Sequence, residues 1–267
     1  MSPAPDPLLR LYHVREIPGT HEGKFVVEGI HNVVSVIERG FALESVLIVG
    51  DALKDALPVF PAGVPVLRPD KAAALAIFGA EFHHGVAAVA LAPKKLRLRD
   101  ALPGLLSPDA PARTLVVCPC LGDASNLGAI IRNAAALGAD AVICSERGVS
   151  PWSRKAVRAS SGTMFKIPVV VSPDLRADIA EFSERADTTL GATRLADDAI
   201  PLPDWKPTGR HVALMMGGEA FGLEAQWLEF PHDAVVIPMA AGVDSMNVAA
   251  SSAVVLYHLT LGAGRRS

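Results

Sequence analysis

Three polar segments of this chain place chemically useful side chains next to glycine. They cover residues 121–133, 216–223 and 237–247. Arg132, in the first segment, is suited to act on a charged group, because a guanidinium stays protonated and can hold phosphate or stabilise developing negative charge. A role as a general base is not expected of it. The other residues that we single out in these segments are Asn126, Gly217, Gly218, Glu219, Ile237, Met239, Ser245, Met246 and Asn247.

Each segment also has an explanation that involves no chemistry. Asp123, Ser125 and Asn126 are typical of residues that cap the start of a helix. Gly217 and Gly218 are typical of a tight turn. Taken one at a time, the segments leave a structural and a functional interpretation open.

Each of the three segments follows a short apolar run that predicts a β-strand. These strands cover 114–118, 212–216 and 234–237, and their alternation with helices favours a mostly parallel sheet. Open parallel sheets bind ligands at the carboxyl ends of their strands, where these segments begin. Thr193 follows another predicted strand, over 188–192, and is a further candidate. The remaining predicted elements of this half are strands 141–144 and 166–171 and helices 127–137, 174–185 and 246–261.

The first third of the chain predicts a second, smaller α/β unit. Strands are expected over 45–49, 64–67 and 85–91 and a helix over 28–38. Residues 92–113 contain five basic residues and four prolines, which suits a linker. We therefore divide the chain into a unit over 1–92, a linker over 93–113 and a unit over 114–267.

The composition is that of a globular protein. The chain has 267 residues, is 50% hydrophobic and carries a formal net charge of −3, so it is not a strongly basic nucleic-acid binder. Basic clusters at 94–99, 154–158 and 265–266 could still meet phosphates, or they form solvated faces. No apolar run reaches the roughly 20 residues of a membrane span, and the start of the chain lacks a signal-peptide pattern, so a cytoplasmic location is expected.

Other kinds of site lack their motifs. There is no GxGxxG or P-loop to hold nucleotide phosphates, and Ser245 has no GxSxG elbow. Cys118, Cys120 and Cys144 do not have zinc-site spacing. His83 and His84 do not belong to a recognisable metal-binding motif of carboxylates or cysteines, so no metal is expected.

In this order, each after a predicted strand, the three segments resemble the motifs of the SpoU family of RNA ribose methyltransferases, also called TrmH-like. The family's first motif falls on Asp123, Asn126, Gly128 and Arg132. Its second falls on Gly217, Glu219 and Gly222, and its third on 237–239 and 245–247. Residues 158–163 resemble a Ser-x-Gly turn that many members carry. Ala124 and Met246 depart from the family's usual proline and leucine, but neither change removes a reacting group.

The resemblance implies an α/β fold in which a C-terminal parallel-sheet methyltransferase domain is tied in a trefoil knot and a small N-terminal α/β domain binds RNA. It implies S-adenosylmethionine as cofactor, transfer of methyl to a ribose 2'-hydroxyl, and ribosomal RNA as the expected substrate. A tRNA substrate and a non-catalytic RNA-binding protein of the same fold stay open as alternatives. A homodimer is also implied, although the apolar helix over 246–261 could bury against a partner or in the chain's own core.

The resemblance also assigns roles to the candidate residues. The expected catalytic set is Arg132, Asn126, Glu219, Ser245 and Asn247. Arg132 is expected to hold a phosphate and to stabilise the ribose oxygen as its proton leaves, and it lies beside the apolar stripe of its predicted helix. The expected cofactor-binding set is Gly217, Gly218, Ile237, Met239, Met246 and Thr193, because main-chain amides and apolar side chains suit a purine.

Overall fold

The computed structural model describes residues 7–13, 23–50, 59–218, 222–243 and 245–262. Within these residues the strands form two sheets, one of four strands and one of seven. Helices pack on both sheets, which confirms the predicted α/β class. Glu219 and the basic residues 265–266 lie outside the described residues.

The four-stranded sheet is formed by the first part of the chain. Its strands are β1 (Lys24–Glu28), β2 (Leu43–Ile48), β3 (Val66–Leu67) and β4 (Val86–Leu91), in the order β1-β4-β2-β3. β4 pairs antiparallel with β1 and β2, and β2 pairs parallel with β3. The helices of this part are α1 (Ile30–Glu38) and α2 (Lys71–Phe78).

Glu28 ends β1, although the sequence pattern predicts it as the first residue of a helix. The helix begins at Ile30, after Gly29, whose φ of 88° is a left-handed value that favours glycine. Glu28 is 7% exposed and pairs with Arg154. An ion pair between residues so far apart in the chain leaves no signal in local hydrophobic periodicity. The sequence pattern therefore places the start of the helix two residues too early.

The seven-stranded sheet is formed by the rest of the chain. Its strands are β5 (Thr114–Cys118), β6 (Ala141–Ser145), β7 (Val169–Ser172), β8 (Thr188–Thr193), β9 (Ile200–Pro201), β10 (His211–Met215) and β11 (Asp233–Val236). Their order is β7-β6-β5-β10-β8-β11-β9, and every neighbouring pair is parallel, as predicted. The knotted path of the chain stays a prediction.

Helices cover both faces of this sheet. They are α3 (Leu98–Ala101), α4 (Ala124–Ala136), α5 (Arg154–Ala159), α6 (Leu175–Arg185), α7 (Ala225–Leu228) and α8 (Val248–Gly262). Apolar residues of α4, α5 and α8 share the core of one face, and those of α3, α6 and α7 share the core of the other. The predicted apolar stripe of α4 is buried and Arg132 is exposed. Among the helices that the structure describes, none has the length and apolar character needed to cross a bilayer.

Aromatic rings join the four-stranded sheet to the second unit. The ring centroid of Phe25 in β1 lies 5.1 Å from that of Trp152 and 6.0 Å from that of Phe165. Phe41 contacts the same two rings. Phe25, Trp152 and Phe165 belong to one core that also includes Val116 of β5. The two units therefore share a hydrophobic core.

Residues 93–113, which suit a linker by composition, pack on the second unit. Leu98 and Leu105 are buried in the core on the α6 face of the sheet. Nε of Arg97 lies 2.5 Å from Oδ1 of Asp178, and the hydrogen bond from this guanidinium to Asp178 raises the pKa of Arg97. Arg97 is thus held by an ion pair within the protein. The domain boundaries themselves stay a prediction.

Candidate active site and cofactor cleft

A cleft of about 670 Å³ lies at the carboxyl ends of β10, β8 and β11, which are neighbours in the sheet. The second and third polar segments meet there. All six residues expected to bind a cofactor line the cleft, namely Thr193, Gly217, Gly218, Ile237, Met239 and Met246. Ser245 and Asn247, from the expected catalytic set, line it as well.

The wall after β10 requires glycine for steric reasons. The backbone N–H groups of Gly218 and Gly222 donate to each other's carbonyl oxygens over 2.9 and 3.0 Å, which closes the loop. A Cβ on Gly217 would lie 2.4 Å from the carbonyl carbon of Gly222, and one on Gly218 would lie 2.9 Å from the carbonyl oxygen of Cys120. Only bare main chain fits here. Glu219, between these glycines, is outside the described residues.

The opposite wall is the segment that leads into α8. Ser245 and Met246 are exposed in the cleft. Asn247 caps α8, because its Oδ1 accepts from the backbone N–H groups of Ala249 and Ala250 over 2.9 and 3.2 Å. This cap determines where the helix begins and holds the preceding residues against the cleft.

Asn247 also contacts the first polar segment. Its Nδ2 donates to Oδ1 of Asn126, in the first turn of α4, over 3.0 Å. Further along the same two helices, Nδ2 of Asn133 donates to the carbonyl oxygen of Ala249 over 2.7 Å and to Oγ of Ser252 over 3.0 Å. α4 and α8 are therefore joined by polar contacts at two points along their length.

The first polar segment forms the capped start of α4. Oδ1 of Asp123 accepts from the backbone N–H groups of Ser125 and Asn126 over 2.7 and 3.0 Å. Nζ of Lys155 lies 2.5 Å from the other carboxylate oxygen. This hydrogen bond from Lys155, with those from the backbone, lowers the pKa of Asp123. Its carboxylate is therefore ionised at neutral pH, and it holds the start of the helix.

Gly128 allows α4 and α5 to pack closely. A Cβ at this position would lie 2.3 Å from the carbonyl oxygen of Ala156 and 2.6 Å from Cβ of Ala159. The glycine of the first motif thus has a packing role that a larger residue could not fill.

Arg132 lies one to two turns beyond Asn126 on α4. Its side chain is exposed, and its Nη1 donates to Oγ of Ser161 over 3.2 Å. Neither Arg132 nor Asn126 is among the residues that line the cleft. The structure connects them to the cleft through the contact between Asn126 and Asn247.

The cleft contains residues that the sequence motifs do not indicate. Arg194 and Leu195 line it directly after Thr193, and the strand-end position that drew attention to Thr193 applies to them equally. Ser251, in the first turn of α8, lines it too, and its hydroxyl donates to the carbonyl oxygen of Asn247 over 3.2 Å. Its place depends on how α8 is rotated against the sheet, which the sequence pattern does not specify.

The positions of the histidine, acidic and cysteine side chains bear on metal and thiol chemistry. In the described residues, no group of three or more His, Cys, Asp or Glu side chains is arranged to hold a metal ion. Cys118, Cys120 and Cys144 are free thiols. A hydrogen bond with Cys144 and burial raise the pKa of Cys118, so it stays a neutral, packed thiol.

Known proteins resemble this chain in sequence over most of its length. The model of the SpoU rRNA Methylase family matches residues 113–257. An uncharacterised tRNA/rRNA methyltransferase of Mycobacterium bovis is 33% identical over 200 residues, which cover 74% of this chain and 67% of that protein. The 23S rRNA (guanosine-2'-O-)-methyltransferase RlmB of Ralstonia nicotianae is 31% identical over 73% of this chain and 76% of its own length.

Solved structures share the fold. The SpoU methyltransferase AviRb of Streptomyces viridochromogenes, in complex with AdoMet, matches with a TM-score of 0.77 at 23% identity over 98% of this chain and 100% of that chain. An AdoMet-bound rRNA methyltransferase of Sinorhizobium meliloti also matches with a TM-score of 0.77, at 24% identity over 90% of this chain and 88% of its own. The family model covers more than half of the chain, and the sequence relatives agree with it. This chain belongs to the SpoU rRNA methylase family.

Proposed function

We propose that this protein transfers a methyl group from S-adenosylmethionine to a ribose 2'-hydroxyl of RNA, with ribosomal RNA as the substrate. The observation that carries the proposal is the contact between Asn247, in the wall of the cleft, and Asn126, on the helix that presents Arg132. It connects a pocket suited to a nucleoside with an exposed cation suited to phosphate. Membership of a family of rRNA methylases supports the same reaction.

The cleft fits S-adenosylmethionine in size and in lining. Its volume of about 670 Å³ lies within the range of roughly 300–1,000 Å³ that is usual for small-molecule sites. Gly217 and Gly218 bring bare main chain to one wall. Ile237, Met239 and Met246 supply apolar atoms around it. These are the two kinds of contact that hold a purine.

Arg132 would act on the acceptor oxygen. S-adenosylmethionine, when bound, supplies a methyl group on a positively charged sulfur. Transfer forms a bond between the methyl carbon and the ribose 2'-oxygen and breaks the carbon–sulfur bond, while the hydroxyl proton leaves to a phosphate or to solvent. The permanently charged guanidinium of Arg132 holds the neighbouring phosphate and stabilises the negative charge that develops on the oxygen.

The other expected catalytic residues contribute by position. Both ends of the Asn247 amide are already engaged, one with the start of α8 and one with Asn126, so Asn247 orders the cleft wall. The exposed hydroxyl of Ser245 in the cleft is available to orient a ribose. Glu219, the glutamate of the second family motif, is proposed to order these groups.

In this proposal the RNA lies across the boundary between the two units, on the surface where their charged side chains meet. Glu28 of β1 is held by Arg154, which donates to the carboxylate from Nε over 2.5 Å. Arg158 lies 3.8 Å from the same carboxylate and is 65% exposed, and His84 lies 3.9 Å from it and is 53% exposed. One carboxylate thus faces two arginines, which leaves positive charge for an RNA phosphate. In the proposed division, residues 1–92 form the RNA-binding domain, 93–113 the connection and 114–267 the methyltransferase domain, which contributes both arginines where the two units meet.

We also propose that the protein is a homodimer. Val254 and Tyr257 on α8 are 38% and 57% exposed, and Met246 before this helix is 40% exposed. An apolar surface of this kind next to the cleft suits burial against a second copy. Light scattering on the full chain should give the mass of two copies.

The reaction itself is tested with the full chain. Calorimetry should detect binding of S-adenosylmethionine, and a labelled methyl group should pass to ribosomal RNA and not to the same RNA with a methylated target ribose. Mapping of 2'-O-methyl groups in RNA from cells with and without the gene identifies the nucleotide. A folded protein that binds no S-adenosylmethionine, or that labels a base and not a ribose, would contradict the proposal.

A further inference from the structure

Ser161 has an unusual backbone conformation for an exposed serine. Its φ is 51°, and among the described residues it is the one position other than glycine with a positive φ. A residue with a Cβ is disfavoured in this left-handed region and persists there only when the surrounding structure imposes it. Because Ser161 is exposed, burial of its own side chain does not explain the conformation.

The residues on either side hold this turn in place. Ser160 is buried, and its backbone N–H and Oγ donate to the carbonyl oxygens of Ala156 and Val157 over 2.9 and 2.8 Å. Gly162 lies against the first unit, since a Cβ there would be 2.3 Å from Oδ1 of Asn32 on α1. The turn is thus fixed by the end of α5 on one side and by the packing of α1 on the other.

In this conformation the Ser161 hydroxyl meets Arg132. Its Oγ accepts a hydrogen bond from Nη1 of Arg132 over 3.2 Å. Arg132 comes from another helix and has an exposed, flexible side chain, whose guanidinium can take many positions unless it is held. Within the described residues, the Ser161 hydroxyl is the side-chain acceptor that holds it.

We propose that Ser161 is a positioning residue for Arg132, and that its left-handed turn orients the guanidinium for the ribose and phosphate of the substrate. The effect on catalysis rests on the function proposed above, whereas the hold on the guanidinium does not. Since Gly162 packs on Asn32, the same turn makes the position of Arg132 depend on how the first unit is docked.

Two substitutions separate the hydroxyl from the backbone conformation. Ser161→Gly removes the hydroxyl and suits a positive φ. Ser161→Asn keeps a side-chain oxygen, and asparagine tolerates this region better than most residues. Ser107→Gly is the matched control, because Ser107 is an exposed serine in the segment that packs on the opposite face of the sheet.

The mobility of the guanidinium gives a direct readout that needs no activity. Nitrogen relaxation NMR of arginine Nε–Hε groups is measured on the full chain, and the Arg132 signal is assigned by its loss in Arg132→Lys. Its order parameter should fall in Ser161→Gly, recover in Ser161→Asn and stay at the wild-type value in Ser107→Gly. An Arg132 signal as ordered in Ser161→Gly as in the wild type would overturn the proposal.

Methyl transfer gives the functional readout. Ser161→Gly should lower kcat about tenfold, with an unchanged KM for S-adenosylmethionine and a melting temperature at or above that of the wild type, and Ser161→Asn should regain most of the rate. A wild-type rate in Ser161→Gly, or equal losses in both variants with lower melting temperatures, would refute the catalytic part. A wild-type protein that transfers no methyl would refute the proposed function, and the NMR measurement would then decide the role of Ser161.

Discussion

Nδ2 of Asn247 donates to Oδ1 of Asn126 over 3.0 Å, and this contact joins the wall of the cleft to the first turn of α4. The Oδ1 of Asn247 is used at the same time to cap α8. A single side chain therefore both caps α8 and contacts the start of α4. For this reason Arg132, which does not line the cleft, still keeps a defined position relative to it.

The two functions of Asn247 can be separated by substitution. Serine is also a good N-cap but is too short to reach Asn126, so Asn247→Ser should keep stability within about 0.5 kcal/mol. Asn247→Ala loses the cap as well and should lower the free energy of unfolding by about 1 kcal/mol. Both variants should transfer methyl more slowly than the wild type. Denaturant titration and single-turnover kinetics measure these effects, and a wild-type rate for Asn247→Ser would show that the contact with Asn126 does not matter for the reaction.

Arg132→Ala should slow methyl transfer strongly without unfolding the protein. Because the side chain is exposed and lies off the buried stripe of α4, the free energy of unfolding should change by no more than about 0.5 kcal/mol. The loss of a charge that stabilises the transition state should slow transfer roughly a hundredfold or more. Arg132→Lys keeps the charge but not the planar fork, and should be intermediate. A collapse of the melting temperature in Arg132→Ala, or a near-normal rate, would assign this residue to structure instead.

Arg158→Gln should weaken RNA binding and leave cofactor binding unchanged. Arg158 is 65% exposed beside a carboxylate that Arg154 already neutralises, so its charge is available to a phosphate. The plot of log affinity against log salt concentration has a negative slope, and this slope should become less steep by about 1. Arg185→Gln is a matched control, because Arg185 is 60% exposed, also pairs with a carboxylate and lies on α6 at the opposite face of the sheet. Equal losses of RNA affinity in the two variants would mean that only net charge is involved.

His211 should make the fold sensitive to acid. The side chain is buried, and desolvation, together with the nearby positive charge of Arg210, lowers the pKa of His211 below its usual value of 6.5. The unfolded chain therefore binds a proton more readily than the folded one, and stability is lost as the pH falls through the pKa of the unfolded state.

Melting temperatures between about pH 8 and about pH 5.5 test this linkage. The decrease on acidification should be smaller in His211→Gln than in the wild type, whatever the variant does to stability at neutral pH. His31→Gln, at an exposed position on α1, is the control for the loss of a histidine. An identical pH dependence in the wild type and His211→Gln would show that another group is responsible.

Much of the fold follows from local patterns in the sequence. The apolar run at 114–118 coincides with β5, and the buried stripe of α4 has the periodicity read from its residues. The alternation of such runs with helices predicts a parallel sheet, which the structure has. The polar segments predicted after β10 and β11 contribute residues to the cleft, and Thr193 lines it too. These features depend on residues that are close in the chain, since hydrophobic periodicity and turn chemistry report burial and backbone geometry over a few positions.

The arrangement of the site was decided by tertiary structure. Glu28 ends a strand and meets Arg154 across 126 positions, Asn126 meets Asn247 across 121, and Arg132 meets Ser161 across 29. The packing of Gly162 against Asn32 of the first unit likewise helps to hold the turn that contains Ser161. Such contacts are specified by the way helices and sheets pack on one another, and a single side chain contributes to that packing without leaving a periodic signal of its own. The sequence by itself therefore determined which loops carry the polar residues, and only the packed fold determined which of those residues touch.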